Sequence, residues 1–261
     1  MSPNGPLSVP VLFQAEFPKL KKLYISSGST ILNARSLSCI LQEGLSSLCL
    51  RYLDSTAQLI SQTRQIHTLE NIVLYGSEPI PAGFIMSNKQ IRAFALLWHH
   101  RDADLRNLLR SFRYFPNLRV LLLIWTGPGI PDESLIELSR LSQVEVLHIG
   151  AAFFPEEEWF IHYDKIRQYL GDLVNLRRLV LEQDRDWATD LYKDMILDQA
   201  ISFVQALPKL EYIVIGETAF TIADENGVRE PVMLPLDPDS RDYTRELLRD
   251  EFGVGDFLKA F

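Results

Sequence analysis

Cysteine is nearly absent from this chain, and its two examples, Cys39 and Cys49, are too few for a disulfide scaffold and lack metal-ligand spacing. No stretch of about 18 apolar residues occurs, so a membrane span is not expected. The opening residues 1–14 have no basic segment leading into an apolar one, which argues against a cleaved secretion signal. Together these absences read as an intracellular protein, cytoplasmic or nuclear. Positive charge is also in deficit. With 26 Lys and Arg against 34 Asp and Glu, the net charge is −8, and a general affinity for nucleic acid or anionic lipid is not expected. Nucleotide and hydrolase signatures are missing too: there is no G-x-G-x-x-G, G-x-x-x-x-G-K-[ST], G-x-S-x-G or H-E-x-x-H. Gly127-Pro128-Gly129 reads as a turn, not a phosphate cradle.

What the chain does have is apolar content. Of its 261 residues 47% are hydrophobic and 23% charged, which suits a folded protein and excludes a disordered or collagen-like one. The negative charge is uneven. Residues 221–256 hold ten acids against four arginines, six of the eight excess charges, and leave a nearly neutral body.

Self-similarity is the strongest signal. The segments FPKLKKLYI at 17–25, FPNLRVLLL at 115–123 and LPKLEYIVI at 207–215 share a Pro-x-Leu entry into an apolar strand. LVNLRRLVL at 173–181 has valine where the others have proline. Each contains L-x-x-L-x-L, and the pattern recurs from Leu45, Leu69, Ile91 and Val144. The eight starts are 20, 45, 69, 91, 118, 144, 176 and 210, with spacings of 25, 24, 22, 27, 26, 32 and 34. Between them lie stretches with apolar residues at helical steps: 31–44, 102–115, 132–143, 162–173 and 192–207. Pro131-Asp132-Glu133 is a helix start, with acids where the dipole favours them.

One strand and one helix per repeat cannot bury an apolar stripe alone, so neighbours stack into a continuous core. The expected fold is α/β: about eight parallel strands with outer helices and a C-terminal cap. Residues 1–16 form an N-terminal extension, 17–216 the repeat array and 217–261 an acidic and apolar cap or arm. The array resembles the leucine-rich-repeat solenoids, and its irregular repeats look most like the substrate-recognition region of fungal F-box-type proteins. Residues 1–16 are too short to hold an F-box. One departure from the family stands out. The position of its Asn or Cys is taken by Gly28, Leu53, Ser77, His99, Thr126, Ala152, Asp184 and Thr218, which removes the side-chain ladder that the resemblance implies.

The fixed apolar positions face the helices, and the residues between them face the inner, concave side. There Ala93, Ala95, Leu97, Val120, Leu122, Ile124 and Val146 form a contiguous apolar patch. Such a patch needs a cover, which is the chain's own tail, a small apolar ligand or a partner. The tail has the means. It offers PVMLPL at 231–236, a helix over 240–252 with Tyr243, Leu247 and Leu248 on one face, and an apolar end.

All four tryptophans follow the strands of four consecutive repeats, so Trp98, Trp125, Trp159 and Trp187 share one edge. His99, Phe153, Phe154 and Arg185 lie on the same edge. Trp and Arg are the types that anchor interfaces. The expected function is a non-catalytic scaffold that binds a protein or peptide through this rim together with Leu97, Leu122 and Ile124. The alternative is an enzyme or small-molecule binder using the apolar trough, with His148, His99 and Glu157 as acid–base candidates. The run Glu156–Glu158 otherwise reads as a solvated helix start, and His99-His100 with Asp102 and Asp104 matches no ligand spacing. No metal, cofactor, nucleic acid or membrane partner is expected.

Overall fold

Two residues after each of the eight expected starts, a strand begins. In the computed structural model these are β1 (Lys22–Ser26), β2 (Ser47–Arg51), β3 (Asn71–Tyr75), β4 (Ala93–His99), β5 (Val120–Trp125), β6 (Val146–Ala151), β7 (Arg178–Gln183) and β8 (Tyr212–Ile215). The structure describes residues 21–26, 44–51, 66–75, 82–99, 102–125, 130–151, 163–183, 190–235 and 243–252. All eight strands are parallel and lie in chain order. Parallel neighbours need a crossover, and from β3 to β8 helices supply it. They are α1 (Ala82–Ser87), α2 (Asp102–Phe112), α3 (Asp132–Ser139), α4 (Tyr163–Leu170) and α5 (Asp190–Ala206). The helix expected over 31–44 lies outside the described residues. Pro131 stands at the N-cap of α3 with φ −62°, and Asp132 and Glu133 occupy its first turn, where the dipole favours them.

Beyond β8 the sheet continues into the segment expected to be a C-terminal cap or arm. β9 (Thr218–Glu225) and β10 (Val228–Met233) add two antiparallel strands, giving an open ten-stranded sheet in sequential order. Both connections are two residues long. Gly216 turns the first at φ 60°, and Asn226-Gly227 turns the second at φ 58° and 82°. Two successive positive φ angles give a turn whose twist suits a hairpin, and Asn-Gly is the pair that reaches it at least cost. Pro231 lies on the edge strand, where a missing N–H breaks no ladder. Arg229 ties the hairpin to the end of α5 by donating to the carbonyls of Val204 (3.4 Å), Leu207 (3.0 Å) and Leu210. A cation at a helix C-terminus also meets the negative end of the dipole.

The same turn precedes strand after strand. From Leu69 onward the amide at the L-x-x-L-x-L start donates to the carbonyl three residues earlier: Leu69 to Ile66, Ile91 to Asn88, Leu118 to Phe115, Val144 to Leu141, Leu176 to Leu173 and Leu210 to Leu207. Proline at the second place, as in Pro116 and Pro208, presets the required φ, and Val174 and Ser142 take the same turn without it. The next two amides then share one carbonyl of the preceding repeat. Arg119 and Val120 donate to Arg92, Glu145 and Val146 to Arg119, and Arg177 and Arg178 to Glu145.

A side-chain ladder exists as well, at a different position from the family's. The residue just before the start reaches back to the previous repeat's turn. Thr68 donates to Leu45 O (2.9 Å), Gln143 to Phe112 O (2.9 Å), Asn175 to Ser142 O (2.9 Å) and Lys209 to Asn175 Oδ1 (2.7 Å). Gln90 does the same to Ile66 O. These bonds satisfy turn carbonyls that stacking would otherwise bury without a partner.

Alternation along the strands makes two cores. The helix side carries Ile72, Phe94, Leu121, Leu147, Leu179, Ile213 and Phe220 in register, with Phe112, Phe115, Leu138, Leu170 and Phe203 packed on them. The opposite face carries the central row Cys49, Val73, Ala95, Leu122, His148, Val180 and Val214. On that face lies one more helix, α6 (Tyr243–Asp250).

Candidate interaction surface

The apolar patch is covered by the chain itself. Leu247 and Leu248 of α6, with Phe252 just beyond, form one buried cluster with Cys49, Val73, Ala93, Ala95, Leu97, Val120, Leu122 and Ile124. Tyr243 begins the helix over Val180, Val214 and Ala219. From Tyr243 to Phe252 a helical rise of about 1.5 Å per residue covers about 13 Å, close to three strand spacings. So α6 crosses the strands against their chain order, from the β7–β9 side towards β2–β5. Burial of each large apolar side chain contributes about 1.5–3 kcal/mol, which is what holds so short a helix in place.

Two ion pairs flank that apolar stripe. Glu246 Oε2 lies 3.7 Å from a guanidinium nitrogen of Arg178, the first residue of β7. Glu251 Oε2 lies 3.3 Å from Arg92, immediately before β4. The register places both arginines at the starting ends of the strands, three strands apart. Arg178 also stands over the Tyr212 ring, 4.9 Å from its centroid, which limits where its guanidinium can go. Burial pushes the Tyr212 hydroxyl up, and Arg178 opposes that shift. For Tyr243, burial together with Tyr212 and the carboxylates of Glu246, Glu182 and Glu217 raises the pKa to about 12. Its hydroxyl donates weakly to Glu217 O at 3.4 Å.

The expected interface residues separate into three groups. Leu97, Leu122 and Ile124 are buried at 2%, 0% and 7% exposure beneath α6, so they form an internal interface and not an open surface. Trp125 is 2% exposed and belongs to the helix-side core, because it follows Ile124 and alternation turns it to the other face. Its place is the core, not the rim. Trp98 and His99 end β4 at a register irregularity, where His99 pairs with Trp125 and Trp98 is the extra residue between paired positions. Phe153, Phe154, Glu157, Trp159, Arg185 and Trp187 lie outside the described residues.

The one acid–base candidate that the structure describes in full is His148. It is wholly buried, and its Nε2 lies 2.7 Å from Oε2 of Glu182 on the next strand. The pair is an acid–base couple by composition, but the imidazole has no exposed surface to offer a substrate. Beside it Gly150 leaves no spare room, since a Cβ there would stand 2.5 Å from Ile124 Cδ1.

Sequence reading missed the paired arginines and their acidic partners. Arg178 pairs with Val146 on the inner face, and Glu246 and Glu251 bracket the apolar residues of the tail, so the signal was a charge pattern around a stripe. It also missed a buried carboxylate on α3. Glu137 is bonded by Arg110 (3.3 Å), Arg140 (3.3 Å) and Arg113, from α2 and the ends of α2 and α3. Burial raises the carboxyl, and the three arginines outweigh it, leaving Glu137 below the ordinary value.

Among the described residues no helix is long and apolar enough to cross a membrane, and no group of three His, Cys, Asp or Glu side chains is placed to hold a metal ion. Comparison of the chain with protein-family models and with curated proteins finds no match.

Proposed function

We propose that this chain is a non-catalytic protein-interaction scaffold, a leucine-rich-repeat-like solenoid similar to the recognition region of F-box-type proteins. The observation that carries the reading is the run of eight parallel strands in chain order, with the same turn leading into each of β3 to β8. Arrays of this kind expose long surfaces along which one partner touches many repeats. The partner in this reading is a protein or peptide held along the rim of Trp98, His99, Phe153, Phe154, Trp159, Arg185 and Trp187.

The rival reading is an enzyme or small-molecule binder in the apolar trough. It draws on the His148–Glu182 pair. Against it stand the buried imidazole and the helix already seated on the trough.

Affinity capture from the source cell tests the proposal, comparing the wild-type chain with Trp98→Ala/Trp159→Ala/Trp187→Ala. Trp125 is left alone because its replacement would open the core. A protein captured in near-stoichiometric amount by the wild type and lost from a variant of unchanged melting temperature supports the reading. Identical partner lists from the two chains overturn it.

A further inference from the structure

We propose that the sheet face beneath α6 is a helix-binding groove, that α6 is its resident ligand, and that a partner's acidic amphipathic helix binds there by displacing it. This rests on the scaffold reading and names the chemistry of the partner.

The groove has the parts that helix recognition needs. Its floor is small and apolar: Ala93, Ala95, Val73 and Cys49 lie low between the larger Leu97, Val120, Leu122 and Ile124. Small residues in the floor let a helix approach closely. At one margin Arg92 and Arg178 supply two fixed positive charges. The occupant is complementary in both respects. It offers Tyr243, Leu247, Leu248 and Phe252 as one stripe and Glu246 and Glu251 on its flank. Charge complementarity at a groove margin sets register and rejects basic helices.

The contact is also limited in extent. Among the described residues of α6 and the turn after it four side chains are buried, and both ion pairs are partly exposed, so each ion pair contributes little. The tether adds to that burial in keeping α6 seated. Residues 234–242 join β10 to the helix, and a connection this short holds the local concentration in roughly the millimolar range. A partner helix with the same stripe but more contacts outcompetes it, and an equal one binds with its apparent affinity reduced by the occupancy of the tail. The tail thereby sets a threshold for binding.

The test uses full-length chains and a fluorescein-labelled synthetic peptide with the sequence of residues 241–252, read by anisotropy. Leu247→Asp/Phe252→Asp in the full chain puts charge on the stripe and unseats the tail. The peptide should bind this variant at least about tenfold more tightly than the wild type. Adding Arg92→Glu/Arg178→Glu should abolish the gain. A second variant, Glu246→Arg/Glu251→Arg, keeps the stripe and turns only exposed charges, so it retains the fold even if the first does not. It too should bind the peptide several-fold more tightly than the wild type. Strand amide protection from hydrogen exchange identifies the folded variants. If no folded variant binds the peptide more tightly than the wild type, the inference is overturned. The capture experiment is independent: partners held through Trp98, Trp159 and Trp187 remain after that failure, and their loss leaves the peptide result standing.

Discussion

His148 Nε2 on β6 and Glu182 Oε2 on β7 lie 2.7 Å apart, and His148 is the polar step in a central row otherwise built from Cys49, Val73, Ala95, Leu122, Val180 and Val214. A buried imidazole is tolerated there because the carboxylate meets it from the margin, where Glu182 keeps 27% of its side chain exposed. Removing the carboxylate takes a hydrogen bond from a buried polar group, while removing both polar groups leaves an apolar row. Glu182→Ala should therefore cost about 1–3 kcal/mol, and His148→Leu/Glu182→Ala should cost less than Glu182→Ala alone. Urea unfolding of the wild type, Glu182→Ala, His148→Leu and the double variant gives the comparison. A double variant as unstable as the summed single changes would show that the two residues are not coupled.

Glu137 makes acid sensitivity traceable to one site. Its pKa is below the ordinary value in the folded chain, so its contribution is complete above the unfolded-state value of about 4.3 and is lost as pH falls through the lowered folded-state value. Glu137→Gln should lower stability at pH 7 by about 1–3 kcal/mol, since three arginines lose a common anion. It should also flatten the decline as pH falls below the unfolded-state value and through the lowered folded-state one. Urea midpoints measured across that range decide it.

Tyr243 gives the opposite branch. Burial and the surrounding carboxylates raise it to about 12, while in the unfolded chain it ionises near 10. Its neutral form is thus favoured by folding, and that stability is present below about pH 10 and lost as pH rises through the folded value. Tyr243→Phe keeps the ring on Val180, Val214 and Ala219 and gives up only the weak bond to Glu217 O. The substitution should cost under about 1 kcal/mol at pH 7 and should delay the release of α6 above pH 10. Hydrogen-exchange protection or probe fluorescence on α6 follows that release. Equal alkaline curves for both chains would place the sensitivity elsewhere.

The second hairpin depends on backbone conformation. Gly227 stands at φ 82° with nothing within 4 Å of where a Cβ would be, so space is not the constraint. Gly227→Ala should destabilise by about 1–2 kcal/mol through left-handed backbone strain alone. The loss should appear as faster amide exchange in β9 and β10 ahead of β5 and β6. A uniform change across the sheet would mean that the hairpin does not open separately.

The fold was legible in the sequence wherever its cause was local. The spacing of Leu45, Leu69, Ile91, Leu118, Val144, Leu176 and Leu210 placed every strand two residues downstream, because the turn and the first strand residue lie within the same few peptide units. Period-two alternation also assigned the two faces, and helical steps located α2 to α6. Asn226-Gly227 was a local signal that went unread, and it marks the hairpin between β9 and β10.

By itself the sequence determined the unit: a turn, a strand, an amphipathic helix, and an inner face too apolar to stand open. It also determined that Tyr243, Leu247 and Leu248 would share a helix face. Which surface that face meets was decided only by the tertiary structure. Period and propensity act over three or four residues, whereas the groove is assembled from β2 to β9, and Arg92 and Glu251 are 159 residues apart. The same holds for Trp125 and His148. Composition marked each as a candidate for display, and packing buried both, one against the helices and the other beneath the tail's side of the sheet. Burial is a property of what surrounds a residue, and a chain sets its surroundings only once distant segments have met.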